Sequence, residues 1–168
     1  MQYIELIFYF FICVLALTVL VPSLSGAPFV PTARAKVLEM MEMGDVGPGK
    51  KVVDLGSGDG RIVIEAAKRG ARAYGYELNL ILVLISRRAI KKLGLGDNAC
   101  IYWKSFWKAD LEDADVVTIF GLKGLMADLG AKLKRELKPG AKVISFAFTF
   151  PGWNHVKGER ALYLYVQS

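Results

Sequence analysis

The nine residues Val53-Asp54-Leu55-Gly56-Ser57-Gly58-Asp59-Gly60-Arg61 constrain the fold of this chain more than any other stretch. An apolar run reaches Asp54 and Leu55, three glycines alternate with small or acidic residues, and a helical pattern starts at Arg61. The segment reads as a buried strand, a turn and a helix start. The dinucleotide fingerprint requires a third glycine five places after the first. Here the glycines stand at 56, 58 and 60, and position 61 is Arg, so the spacing excludes that fingerprint. Glycines of this kind let a main chain approach a ligand where a Cβ would intrude. A second apolar run ends in Glu77-Leu78-Asn79. An acid at that place accepts hydrogen bonds from a ribose diol and repels a 2′-phosphate.

Strand and helix signals alternate along the rest of the chain. Helical spacing follows Thr32, a good N-cap, and ends near Gly44. Strands are predicted at Lys51–Leu55, Ala71–Glu77, Ala99–Trp103, Val116–Phe120, Lys142–Phe148 and Arg160–Val166, with residues 153–157 a short partner to the last. Helices are predicted at Arg61–Lys68, Asn79–Leu93 and Leu122–Leu137. Such alternation implies an α/β fold, a doubly wound and mostly parallel sheet covered on both faces. Its ligand binds at the carboxyl ends of the strands, where Gly56, Glu77, Ser105 and Phe120 fall.

The glycine loop preceded by Asp54 resembles motif I of the class I S-adenosylmethionine (SAM) methyltransferases, whose Rossmann-like sheet is of the seven-stranded type. Beyond the loop, the chain from Phe29 onward resembles the membrane-anchored protein-lysine methyltransferases that include the ATP synthase c-subunit and adenine nucleotide translocase enzymes. The resemblance is carried by Phe29-Val30-Pro31-Thr32, Asp54 to Val63, Gly75-Tyr76-Glu77-Leu78-Asn79, Phe106-Trp107-Lys108 and Leu137-Lys138-Pro139-Gly140-Ala141. It implies S-adenosyl-L-methionine as cofactor, bound at Asp54, Gly56, Gly58, Asp59, Glu77 and Asn79, with Ser105 and Phe106 beside the adenine. Relatives tend to have an acid where this chain has Ser105.

At 168 residues the chain suffices for one catalytic domain at residues 51–168, preceded by a linker and helix at 26–50 and an apolar segment at 1–25. Leu6 to Val21 is interrupted only by Thr18, and an apolar stretch of this length suits a transmembrane helix. A cleaved secretory signal is the competing reading, since Ser23-Leu24-Ser25-Gly26-Ala27 offers small residues. Glu5, with no basic residue before the apolar run, opposes it. So does the need of a SAM enzyme for a cytosolic metabolite. The expectation is a single-pass anchor contacting the bilayer through residues 4–24. Arg34 and Lys36 would place the catalytic domain on the cytoplasmic side. Every Lys and Arg lies at or after Arg34, and the formal net charge is +6. A solvated basic surface explains this, and no nucleic-acid partner is expected. Cys13 and Cys100 form no disulfide framework, and no metal-ligand spacing is present.

The expected reaction is N-methylation of a lysine on a membrane protein. A dry pocket lowers the amine's pKa, and aromatic faces hold the amine and its methylated cations. Thr32, Phe120 and Trp153 are the candidate catalytic residues, and Phe29, Trp107 and Phe150 are further candidates for the pocket lining. Core packing is the plainer role for each aromatic. His155 reads as a surface or packing residue. The fourth strand ends in Ile119-Phe120-Gly121-Leu122. It lacks the Asn/Asp-Pro-Pro-Tyr/Phe tetrapeptide that resembling enzymes use on planar amino groups. Methylation of a lipid or quinone headgroup and a non-catalytic SAM-binding module are the alternatives. Because a carboxylate accepts a stronger hydrogen bond than a hydroxyl, Ser105→Asp is expected to tighten SAM binding several-fold. Calorimetric titration measures this, and unchanged affinity removes Ser105 from the adenine site.

Overall fold

The computed structural model describes residues 3–13, 31–121 and 123–168. Its centre is a seven-stranded sheet, with β1 (Lys51–Leu55), β2 (Arg72–Glu77), β3 (Ala99–Trp103), β4 (Val116–Ile119), β5 (Lys142–Phe146), β6 (Lys157–Glu159) and β7 (Leu162–Val166). The strand order is β3-β2-β1-β4-β5-β7-β6. β1 to β5 run parallel, whereas β7 is antiparallel to both β5 and β6. The order reverses between β1 and β4, which opens a crevice at their carboxyl ends.

Side-chain alternation along the strands builds two cores. Val52, Val116 and Ile144 face α2 (Arg34–Met43), α3 (Arg61–Lys68) and α4 (Leu80–Lys92), together with Met40, Met41, Val63 and Val83. Val53, Leu55, Val117, Ile119 and Val143 face α5 (Met126–Glu136), with Leu129, Leu133 and Tyr165. The helices carry matching stripes; α3, for example, buries Ile62, Val63, Ala66 and Ala67. Gly70, at φ +84°, turns the chain from α3 toward β2.

Several boundaries differ from expectation for identifiable reasons. Ala33, not Thr32, is the N-cap of α2 and offers no side-chain acceptor. β5 stops at Phe146 because Ala147 takes φ +70°, a left-handed turn that ends the ladder. A 3-10 turn, Lys123–Leu125, leads into α5. β3 returns to β4 through a 3-10 turn at Phe106–Lys108 and a loop, with no α-helix between them. The ring faces of Tyr74 and Tyr102 on β2 and β3 are therefore only half-covered.

The expected membrane placement is corrected. Residues 3–13, which take in the first part of the expected span, are helical (α1). No helix among the described residues is long and apolar enough to cross a membrane. Residues 14–24 of the expected span lie outside the described residues. The single-pass location, and with it a cytoplasmic side for the domain, is thus not what the structure displays.

Gly75 on β2 is packed against the loop that follows β1. A Cβ there would lie 2.6 Å from Ser57 Cβ, Ser57 Oγ and Ile101 Cδ1. Gly75→Ala is expected to destabilise the fold by roughly 1–3 kcal/mol through overpacking, measured as a lowered midpoint of urea unfolding.

Candidate active site

The crevice at the carboxyl ends of β1, β2 and β4 is lined by Pro31, Thr32, Asp54, Gly56, Gly58, Asp59, Arg61, Glu77, Asn79, Lys104, Phe106 and Phe120, among others. Gly56 takes φ +88°, and a Cβ added to it would meet no protein atom within 4 Å. The turn therefore demands glycine for its backbone, and the main chain is left bare beside the crevice.

Glu77 organises the floor. Its Oε2 accepts the Gly58 N–H at 2.9 Å, and its Oε1 accepts the N–H groups of Leu78 at 2.8 Å and Asn79 at 2.7 Å. A carboxylate has about four acceptor positions. One side chain can thus hold the glycine loop to the end of β2 and keep capacity for a ligand hydroxyl. It also stands at the start of α4, where the helix dipole favours a negative charge. Asn79 caps that helix, its Oδ1 accepting from Ile81 N at 3.0 Å and Leu82 N at 3.4 Å. Its amide oxygen is thereby committed to the helix, which leaves the NH2 group for the crevice.

Asp54 is buried near the carboxyl end of β1, and its Oδ1 accepts the Thr118 hydroxyl at 2.7 Å. Burial raises its pKa to about 7; the Thr118 hydrogen bond opposes the rise, and the charges of Glu77 and Asp59 add to it. A group so poised takes up negative charge readily when a cation enters beside it. Asp59 is held low, first by its hydrogen bond with Arg61. The Ser57 hydroxyl, buried in the same loop, has no hydrogen-bond partner.

The structure brings most of the expected residues together. Asp54, Gly56, Gly58, Asp59, Glu77, Asn79, Phe106, Thr32 and Phe120 all border one crevice. Phe120 packs its ring 4.7 Å from that of Phe146. Ser105 caps the 3-10 turn instead, its Oγ accepting Trp107 N at 3.4 Å, and is not among the lining residues. Trp153 lies in a separate aromatic cluster, 5.5 Å from Phe150 and 5.2 Å from Tyr165, with Lys134 Nζ 5.4 Å from its ring centre. Phe150 is in the core, Trp107 is exposed, and Phe29 lies outside the described residues. Sequence reasoning missed Lys104, Leu125 and Leu129 in the lining. Lys104 had a usable signal, its place just past a predicted strand. The two leucines reach the crevice only through the packing of α5.

A family model described as "ANTKMT methyltransferase domain" matches residues 54–157. The chain belongs to this family. It is 43% identical over 134 residues to the Homo sapiens protein named as the lysine N-methyltransferase of the ATP synthase c-subunit, covering 79% of this chain but 57% of that relative. The chain thus spans less than two thirds of that relative's length. A Saccharolobus islandicus protein named protein-lysine N-methyltransferase is 40% identical over 129 residues, covering 76% of this chain and 80% of its own length. The crystal structure of an RNA methyltransferase from Salinibacter ruber, in complex with S-adenosyl-L-homocysteine, is 34% identical with a TM-score of 0.76. It covers 82% of this chain and 92% of that one. S-adenosyl-L-methionine is accordingly the cofactor of this family member, and the crevice fits it. The bare glycine turn, the Glu77 acceptor and the buried Asp54, whose charged form an adjacent cation would favour, are the groups that a cationic nucleoside with a free diol requires.

The buried Asp54 makes a signed prediction. Its pKa is raised in the folded protein, so between about pH 4 and pH 7 the unfolded chain releases this proton and the folded one keeps it. The stability attached to Asp54 is complete below pH 4, declines as pH rises through 7 and then levels off. Asp54→Asn keeps an acceptor for Thr118 and removes the ionisation. The variant is expected to be more stable than the parent at pH 8, by up to a few kcal/mol, and to match it near pH 4. Urea unfolding at both pH values measures the difference.

Proposed function

We propose that this chain is a SAM-dependent protein-lysine N-methyltransferase. The observation that carries the reading is its 40% identity to the Saccharolobus islandicus protein of that name, across 80% of that protein's length. The crevice supports the reading through what it contains and what it omits. The fourth strand leads into Phe120-Gly121, without the polar tetrapeptide that would fix the protons of a planar amide or nucleobase amine. A flexible aliphatic amine needs no such clamp. It needs an approach through apolar walls, which Pro31, Phe120, Leu125 and Leu129 provide.

When bound, SAM supplies an electrophilic methyl group on a sulfonium. The protein's part is to hold the two reactants in line and to keep the amine neutral. Gly56 and Gly58 would hold the cofactor by main-chain contact, Glu77 would accept from its ribose hydroxyls, and Asp54 would balance its positive charge. Apolar walls disfavour the ammonium form of the incoming lysine and so release its proton to solvent. Thr32 and the Phe120 ring then border the approaching nitrogen. Trp153, placed in its own cluster, would act on the substrate only from outside the crevice. A lysine of a membrane protein, rather than of any protein, is the finer form of this reading, and it rests on relatives named for the ATP synthase c-subunit.

A second reading has one specific support. The Salinibacter ruber RNA methyltransferase matches this chain over 92% of its own length, and the present chain is basic, at +6. Incubation with radiolabelled SAM and a total cell extract separates the readings. Label that survives nuclease and organic extraction, and that maps to lysine after acid hydrolysis, is expected. Nuclease-sensitive label would replace the reading with the RNA alternative, and label in the organic phase with a lipid one. Glu77→Ala is expected to lower SAM affinity at least tenfold in calorimetric titration.

A further inference from the structure

We propose that Arg61 is a positioning residue, a strap that fixes the segment entering α2 against the cofactor crevice. The inference rests on the methyltransferase reading only for the ligand used in its test.

Arg61 is the first residue of α3, directly after Gly60, which takes φ +80°. Its guanidinium is engaged by two partners. Nε donates to Asp59 Oδ1 at 2.9 Å, Nη2 donates to Asp59 Oδ2 at 2.6 Å, and Nη1 donates to the Thr32 carbonyl at 2.7 Å. The Asp59 fork fixes the plane of the group, and the remaining N–H edge points at one main-chain oxygen. Only the planar five-donor fork of arginine serves both partners at once; a lysine ammonium offers a point charge on a flexible stem.

Among the described residues, the segment it holds has few other polar anchors. α2 begins at an alanine N-cap without a side-chain hydrogen bond and has no acid in its first turn. The helix itself is anchored further along, by Val37, Met40 and Met41 in the core. Its entry at Pro31 and Thr32 is nonetheless a wall of the crevice, and Thr32 is only 6% exposed. Asp59 belongs to the glycine loop, whose next glycine inward, Gly58, is gripped by Glu77. A continuous chain of contacts therefore runs from Glu77 through the loop, Asp59 and Arg61 to Thr32. The residue whose identity excluded the dinucleotide fingerprint ties the front wall of the site to its floor.

The test is hydrogen exchange on the full chain, with S-adenosyl-L-homocysteine as the probe ligand. The Val37 amide, which donates to the Ala33 carbonyl at 3.1 Å, reports whether the first turn of α2 is held. In Arg61→Lys and Arg61→Gln this amide is expected to exchange at least tenfold faster than in the parent. Amides of β1 and β4 and the unfolding midpoint serve as controls for global folding. Bound S-adenosyl-L-homocysteine is expected to slow exchange at the Val37 amide in the parent and to leave it fast in both variants, while calorimetry still detects binding to them. If the Val37 amide exchanges at the parental rate in the ligand-free variants, the strap does not exist. Equal ligand-induced protection in parent and Arg61→Lys would likewise overturn it, because the fork would then be dispensable. A parent that fails to bind S-adenosyl-L-homocysteine would refute the methyltransferase reading instead, and the ligand-free exchange rates would still decide the strap.

Discussion

The three main-chain hydrogen bonds accepted by Glu77 are the contact on which the site depends. A glycine-rich loop has high conformational entropy, and left alone it would sample many shapes. One carboxylate at the end of β2 takes the Gly58 N–H on one oxygen and the amides that open α4 on the other. Two connections from neighbouring strands are thereby held in one geometry. The parallel register of β1 with β2, Leu55 opposite Tyr76, brings the loop within reach of that carboxylate. The loop's shape is thus a consequence of sheet pairing, and the ligand-binding geometry follows from the loop.

Charge is arranged with the same economy. Asp54, Asp59 and Glu77 border one crevice, yet they are handled differently. Asp59 is paired with Arg61, Glu77 is bound by main-chain donors, and Asp54 is buried with the Thr118 hydroxyl as its partner among the described residues. Burial and the two neighbouring acids leave Asp54 with a pKa of about 7. An incoming cation finds a site that gains stability from its charge, since it relieves both the burial of Asp54 and the repulsion among the acids.

Much of this was legible in the sequence, and the reason is that the informative features are local. The strand, glycine turn and helix at residues 51–68 depend on residues next to each other, and they fall where the pattern places them. Glu77 was identifiable because it ends an apolar run. Ser105, Trp153 and Arg61 were not legible in their roles. Ser105 turns its hydroxyl back to cap a 3-10 turn, a choice made within three residues that propensity leaves open. Trp153 joins Phe150 and Tyr165 because β7 runs antiparallel to β5, a pairing that no local signal announces. The expected membrane span rested on an apolar run and on the anchor that the resemblance implies, and no helix among the described residues is long and apolar enough to cross a membrane.

The sequence by itself determined the class of fold and the chemistry of the crevice floor, because glycine spacing, strand periodicity and a strand-end acid are each consequences of neighbouring residues. Thr32 and Phe120 were expected at the site from the sequence, but tertiary structure alone decided how the walls come together. Thr32, Arg61, Lys104, Phe120 and Leu129 come from five separate stretches of chain and meet only because parallel pairing aligns the carboxyl ends of the strands. It also decided that Thr32 would present its carbonyl to a guanidinium instead of capping a helix. That contact joins residues 29 positions apart in sequence, and no local preference can encode such a pairing.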